Sequence, residues 1–397
     1  MHPVSLTDGP ARHWRNCDIA VSGAGRVDSA VAADVPRPGD PHMTTQPPTR
    51  ARTGACRSRR FLAAAVVMAA LLTTPAATVG AGPAPRTSPL TRGPAVTRDP
   101  AVPVSRAAPY LYLGWGDPPD PTAVMSATGI RDFTLAFLLA GRGCTPEWDG
   151  DRPLLGGSDA ASIDAIRAAG GDVSVSFGGW SGRKLGTVCR TPAALAGAYE
   201  EVISAYGLHA IDIDIEHGEF TNKKSRLRVV TALHLVQQAD PGVEITVTFE
   251  TTPTGPDATG TSLLTDAATV GFDPFAWTIM PFDFGVPEAD MGATTVAAAE
   301  GLHADLMAIF GMDAATAYAH MGISSMNGRT DESDETVSAA QYQTIVTYAE
   351  NDHLARLTFW AVNRDRSCPA GTAAGDTCSG IVQADDLFTT LTAGFTG

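Results

Sequence analysis

Ile211-Asp212-Ile213-Asp214-Ile215-Glu216 alternates apolar and acidic side chains without a break. In a β-strand successive side chains point to opposite faces, so Asp212, Asp214 and Glu216 share one face and the three isoleucines the other. At about 3.3 Å rise per residue, neighbouring acids stand roughly 6.6 Å apart. Full ionisation of all three is then disfavoured, and at least one pKa should rise. An exposed antiparallel strand would show the same alternation, but like charges lined up in water gain nothing. The flanks also point elsewhere: Pro192 to Tyr206 and Lys224 to Gln238 both carry apolar residues at helical spacing. A strand between two helices reads as part of a βαβ unit, covered on both faces. A carboxyl row buried there is a means of holding a proton near neutral pH for transfer.

From Ala108 onward the same alternation of strand and helix continues. Strands are expected at Tyr110 to Trp115, Asp132 to Leu139, Asp172 to Phe177, Ala210 to Glu216, Glu244 to Glu250, Trp277 to Phe282, His320 to Met326 and Arg356 to Val362. Helical spacing fills intervals such as Ser162 to Ala168, Thr294 to Phe310 and Ala339 to Asn351. Eight strands with intervening helices over about 290 residues predict a single (β/α)8 TIM barrel of α/β class. An open doubly wound sheet is the alternative, but no phosphate-binding glycine motif follows the first strand.

The first hundred residues read differently. Residues 1–42 form an aperiodic leader, and Met43 is a candidate translation start. Within 43–81, Arg57-Ser58-Arg59-Arg60, the apolar run Phe61 to Leu72 and the small residues Ala76, Ala77 and Ala81 read as a signal peptide, too short to span a bilayer. The paired arginines raise a twin-arginine export route, although the spacing to Phe61 is imperfect. Residues 82–107, rich in Pro, Thr and Ala, read as a linker before the 108–397 barrel.

A net charge of -15 argues against nucleic acid or anionic membrane as the main partner. Outside the leader the cysteines number four, in keeping with an oxidising compartment, and the expected bridges are Cys144 to Cys189 and Cys368 to Cys378. The nine histidines form no ligand cluster, so neither a catalytic metal nor another cofactor is expected.

Three further stretches fall at strand C-terminal ends, where barrel chemistry sits. They are Ser176-Phe177-Gly178-Gly179-Trp180, Met280-Pro281-Phe282-Asp283 and Thr358-Phe359-Trp360-Ala361. Paired glycines allow close backbone approach, and an exposed tryptophan offers an apolar face to a sugar ring.

With the acid row, these stretches resemble the family 18 glycoside hydrolases, the chitinases and their relatives. The family signature D-G-x-D-x-D-x-E is met by His209-Ala210-Ile211-Asp212-Ile213-Asp214-Ile215-Glu216 in its last two aspartates and glutamate, but not in its leading Asp-Gly. S-x-G-G is met by Ser176 to Gly179, and Met-x-Tyr-Asp by Met280 to Asp283 with Phe282 in place of tyrosine. Trp360 matches the tryptophan of the eighth strand, and residues 360–366 followed by Cys368 look like the secreted actinobacterial branch.

The resemblance implies substrate-assisted, retaining hydrolysis of β-1,4-linked N-acetylglucosamine. Glu216 would protonate the glycosidic oxygen, Asp214 would hold the acetamido group, and Asp212 would share a proton with Asp214. Asp283 would bind the sugar or the acetamido group, and Trp360 would floor the cleavage subsite. Phe282, Met280, Ser176, Gly178, Gly179 and Trp180 complete the expected substrate site. The implied partner is chitin or a related oligosaccharide, bound by a monomer free of nucleic acid and, after signal cleavage, of membrane. Two alternatives stay open: an endo-β-N-acetylglucosaminidase, which uses a similar acid row, and a catalytically weak carbohydrate-binding barrel, for which Phe282, lacking a hydroxyl, is the sequence support.

Overall fold

The computed structural model describes residues 102–397, apart from 286, 288, 289 and 333. The leader, the signal peptide and the linker up to residue 101 therefore lie outside the described residues. Residues 104 and 105 already belong to the barrel: Val104 and Ser105 are buried, and their backbone N–H groups donate to the Glu244 carboxylate at 3.1 and 2.9 Å.

Eight strands form the barrel: β1 (Tyr110–Tyr112), β2 (Asp132–Ala140), β3 (Asp172–Gly178), β4 (Ala210–Ile215), β5 (Glu244–Glu250), β6 (Ala276–Met280), β7 (Met321–Met326) and β8 (Arg356–Trp360). They pair in chain order and all in parallel. The ring closes where Leu357 N–H donates to the Arg106 carbonyl at 2.8 Å and Thr358 Oγ1 to the Ala108 carbonyl at 2.8 Å, bringing β8 to the segment that enters β1. The (β/α)8 barrel expected from the alternation is the fold observed, and each predicted strand has its counterpart. β1 ends three residues before Trp115, because the chain bends over residues 114–116, with Gly116 at φ +81°.

Two short pairs decorate the barrel. Pro146–Trp148 runs antiparallel to β2, and Gly328–Arg329 pairs with Thr336–Val337 after β7. Both expected disulfides are present: Cys144–Cys189 ties the loop after β2 to the loop after β3, and Cys368–Cys378 closes a loop after β8.

Period-2 alternation sorts the strands into two cores. Ile211, Ile213 and Ile215 point outward with Val173, Val175, Val247, Phe249, Trp277, Ile279, Leu357 and Phe359, all buried under the helices. Each buried aliphatic side chain there stabilises the fold by about 1.5–3 kcal/mol. The helix Pro192–Tyr206 has Thr191 as its cap, proline in its first turn and Gly207 at φ +56° as its stop. The helix Lys223–Ala239 is capped by the Asn222 side chain. Together they press the isoleucine face of β4 from outside. The axis-facing residues of the same strands are polar: Thr134, Ser174, Ser176, Asp212, Asp214, Thr246, Thr248, Thr278, Ser324, Arg356 and Thr358 are all buried.

Candidate active site

Asp212 lies in the middle of this polar interior, wholly buried. Five donors converge on its two oxygens. Tyr110 Oη and Ser176 Oγ donate to Oδ2 at 2.7 and 2.6 Å; Thr246 Oγ1, Thr248 Oγ1 and Arg356 Nη1 donate to Oδ1 at 2.8, 2.7 and 2.6 Å. Burial works against its charge, but the Arg356 guanidinium and the hydrogen bonds outweigh that penalty and hold the carboxyl below the usual carboxylate range. Asp212 is a fixed anion. Its charge acts on the neighbouring Asp214.

Asp214, two residues on, is in the opposite condition. It is 4% exposed, and its Oδ1 has no hydrogen-bond partner among the described residues. Burial first, then the charges of Glu216 and Asp212, push its pKa well above the ordinary value, against the pull of Lys184 and Arg356. Glu216 follows the strand in extended conformation, φ -134°, and opens the short helix His217–Thr221. It is 7% exposed, and burial pushes it up to about 8; Lys184 opposes the shift while Glu250 and Asp283 add to it. The row thus holds one fixed carboxylate, one carboxyl with a free oxygen and one proton donor poised near neutral pH.

The glycine stretch permits a close approach within the protein itself. At Gly178 a Cβ would stand 2.0 Å from the Asp214 carbonyl oxygen, and at Gly179 it would stand 2.7 Å from the Phe137 ring. Both have positive φ, +116° and +78°, and Gly179 N–H donates to the Asp214 carbonyl at 2.9 Å. These glycines let β3 and its loop close on the backbone of the acid row. Ser176 is likewise wholly buried and gives its hydroxyl hydrogen to Asp212, not to a ligand.

The aromatic floor is larger than Trp360 alone. Trp360, half-buried, stacks on Phe137 with centroids 5.5 Å apart and planes 14° from parallel, and Tyr110 and Tyr112 flank it at 5.8 and 6.1 Å. Trp180, 66% exposed, sits against the His217 ring at 3.7 Å. A cavity of about 450 Å³ beside it is lined by Trp180, Arg183, Lys184, Thr187, His217 and Glu219, among others. Met280 ends β6 buried, and Phe282 is half-buried against the core. Asp283, at φ +53°, faces a neighbouring loop: its Oδ1 accepts from Asp331 N–H at 3.0 Å and Glu332 N–H at 3.2 Å. Glu335 braces the turn by accepting from Asp283 and Phe284 N–H at 2.7 and 2.8 Å.

Four participants escaped the sequence reading. Arg356 opens the eighth strand with the same parity as Trp360, so the period-2 rule assigns it to the axis. Tyr110 was legible by the same parity in the first strand. Phe137 and Lys184 carry no such signal, since a bulge interrupts the β2 register between Leu135 and Leu138 and Lys184 lies in a loop.

Comparison with known proteins agrees with this geometry. No family model matches the chain. It is 26% identical over 281 residues to the Escherichia coli (strain K12) protein named "Probable bifunctional chitinase/lysozyme", covering 67% of this chain and 31% of that one. It is 26% identical over 275 residues to Endochitinase 11 of Metarhizium anisopliae, covering 65% of this chain and 52% of that one. The chain thus spans about a third and about half of the length of these relatives. Among solved structures, the catalytic domain of a hyperthermophilic chitinase from Pyrococcus furiosus aligns with TM-score 0.66 at 26% identity, over 77% of this chain and all of that one. Catalytic-site mutants of a Pyrococcus furiosus chitinase domain complexed with chito-oligosaccharides align with TM-score 0.67 at 26% identity, over 76% of this chain and 97% of that one. The chain is a (β/α)8 barrel, and the relatives and solved structures that it resembles at 26% identity carry the name chitinase.

Proposed function

We propose that the barrel hydrolyses β-1,4 linkages of N-acetylglucosamine polymers with retention, using the substrate's own acetamido group as nucleophile. The observation that carries this reading is Asp214: a buried carboxyl with an unpartnered Oδ1, set between a fixed anion and a proton donor. A buried acceptor left unpaired is costly, and such groups persist where a ligand completes them. An acetamido N–H is a donor of the right kind.

In this scheme a sugar ring lies over Trp360 and the protonated Glu216 gives its hydrogen to the glycosidic oxygen as the bond to the anomeric carbon breaks. The acetamido carbonyl oxygen closes on that carbon. Asp214 accepts from the acetamido N–H through its free Oδ1, and so steadies the positive charge that develops on the ring so formed. Water then adds to the anomeric carbon, giving its proton to the Glu216 carboxylate and restoring the acid. Asp212, fixed by its five donors, supplies negative charge that helps keep the Asp214 pKa high.

The expected substrate is chitin or its soluble oligosaccharides, and the protein works as a secreted monomer of the actinobacterial branch. Support for export comes from the leader pattern and the two disulfides. The purified chain, assayed on chitin oligosaccharides, tests the reading: release of shorter oligomers with retained anomeric configuration supports it. Binding to a chitin column with no hydrolysis at any pH would replace it with a carbohydrate-binding barrel.

A further inference from the structure

Behind the acid row the structure holds a cation that the proposed mechanism does not use. Lys184 is 5% exposed. Its Nζ donates to the Gly178 carbonyl at 3.1 Å and to the carbonyls of Gly179 and Ser181. An ammonium has three N–H donors, and three carbonyls with no hydrogen to give surround it; a neutral amine would turn its lone pair on one of them. The carbonyls and the nearby carboxyls favour the charged form, against the burial that lowers the pKa of the ammonium.

Its backbone is fixed as firmly as its head group. Lys184 caps the short helix Leu185–Val188, its carbonyl accepts from Thr187 Oγ1 at 2.8 Å, and the residue after that helix, Cys189, is bridged to Cys144. The carbonyls that it grips run from the last residue of β3 to the residue after Trp180, the same turn whose Gly179 N–H donates to the Asp214 carbonyl. One side chain thus connects the exposed Trp180, the glycine turn and the backbone of Asp214.

The charges around it complete the picture. Asp214, Glu216 and Glu219 act on Lys184 from β4 and the helix after it, with His217 between them. Glu219 accepts from Gly186 N–H at 2.6 Å and feels Arg228 as well as Lys184. Glu216 faces Glu250 at the end of β5 and Asp283 after β6; Asp214 faces Asp212 and Arg356 below. Among these groups Arg356 is committed to Asp212, which leaves Lys184 as the cation that serves the upper half of the row.

We propose that Lys184 is a positioning residue of the acid row: its buried ammonium, anchored on the carbonyls of Gly178, Gly179 and Ser181, sets the turn that carries Trp180 and holds a positive charge against Asp214 and Glu216. The inference rests on the proposed hydrolysis for its role, but not for its electrostatics. A lysine that merely braced a loop would affect folding alone. One that holds charge against the row also sets where the row titrates.

Lys184→Met and Lys184→Gln remove the charge, and glutamine retains N–H donors for the turn. Lys184→Arg keeps the charge. The readouts are the pH profile of kcat/KM on chitin oligosaccharides and the titration of Glu216 followed by carbon NMR of the labelled side chain. In both neutral variants the loss of an opposite charge raises the pKa values of Asp214 and Glu216, so both limbs of the profile move to higher pH, by about one unit. Lys184→Arg stays within about a third of that shift while kcat falls, because its planar fork does not fit three carbonyls placed for an ammonium. A Glu216 titration unmoved in Met and Gln, or moved as far in Arg as in Met, overturns the proposal. If the neutral variants do not fold, the Arg profile decides. Should the parent chain hydrolyse nothing, the proposed activity fails, while the Glu216 titration still decides whether Lys184 acts on the row.

Discussion

Arg356 Nη1 and Asp212 Oδ1 stand 2.6 Å apart, both side chains wholly buried, and this ion pair joins the last strand of the barrel to the fourth. Removing the arginine leaves an anion without its cation in a low-dielectric interior. Arg356→Met should destabilise the fold by about 3–5 kcal/mol at pH 7, as measured by urea unfolding. The pH dependence has a definite sign. Asp212's folded pKa is depressed, so its contribution is present above the unfolded carboxylate value and is lost as pH falls through the folded one. The gap between parent and variant should therefore narrow in acid. A constant gap from neutral to acid pH would show that the arginine acts by packing alone.

Glu216→Gln should cost at least about 10²- to 10⁴-fold in hydrolysis, because the amide keeps the shape but has no proton to give. In the parent, activity should decline as pH rises through about 8, where Glu216 loses its proton. The same variant should be more stable than the parent in alkali. A carboxyl whose folded pKa is raised loses stability as pH rises from its unfolded value, about 4.3, towards the folded one. Melting temperatures of the two proteins should coincide near pH 4 and diverge above it.

Phe282→Tyr supplies the hydroxyl that the resemblance expects after β6. Asp283, the nearest polar residue in the chain, commits Oδ1 to the N–H groups of Asp331 and Glu332, so it is poorly placed to serve as the missing donor. Turnover on chitin oligosaccharides should rise, by up to about 10²-fold. Unchanged turnover in a well-folded variant would place that donor elsewhere in the site.

Gly178→Ala should fail for a structural reason. The added Cβ would fall 2.0 Å from the Asp214 carbonyl oxygen, with φ at +116°, and neither backbone can give way without breaking the β3–β4 pairing. The expected loss exceeds about 4 kcal/mol, beyond the ordinary range for single substitutions. A soluble variant with parental melting temperature would disprove the close approach.

The alternation of Ile211 to Glu216 determined by itself that three acids share one face of a strand, because side-chain parity in a strand is a local property of the backbone. Eight strands alternating with helical stretches pointed to the barrel, since parallel strands need both faces covered. Parity could also have assigned Arg356 and Tyr110 to the axis. What each acid does was decided only by the assembled barrel. Asp212 and Asp214 are the same residue type two positions apart, yet five donors from β1, β3, β5 and β8 make one a fixed anion and leave the other with a free oxygen. Those donors come from residues 34 to 144 positions away in the chain. Gly178 and Gly179 show the same division: two glycines after a strand signal a close approach, but only the tertiary structure showed that the approaching group is the backbone of Asp214. Lys184 was silent in the sequence, because its role comes from three carbonyls of a turn and three carboxyls of another strand and helix that meet only in space.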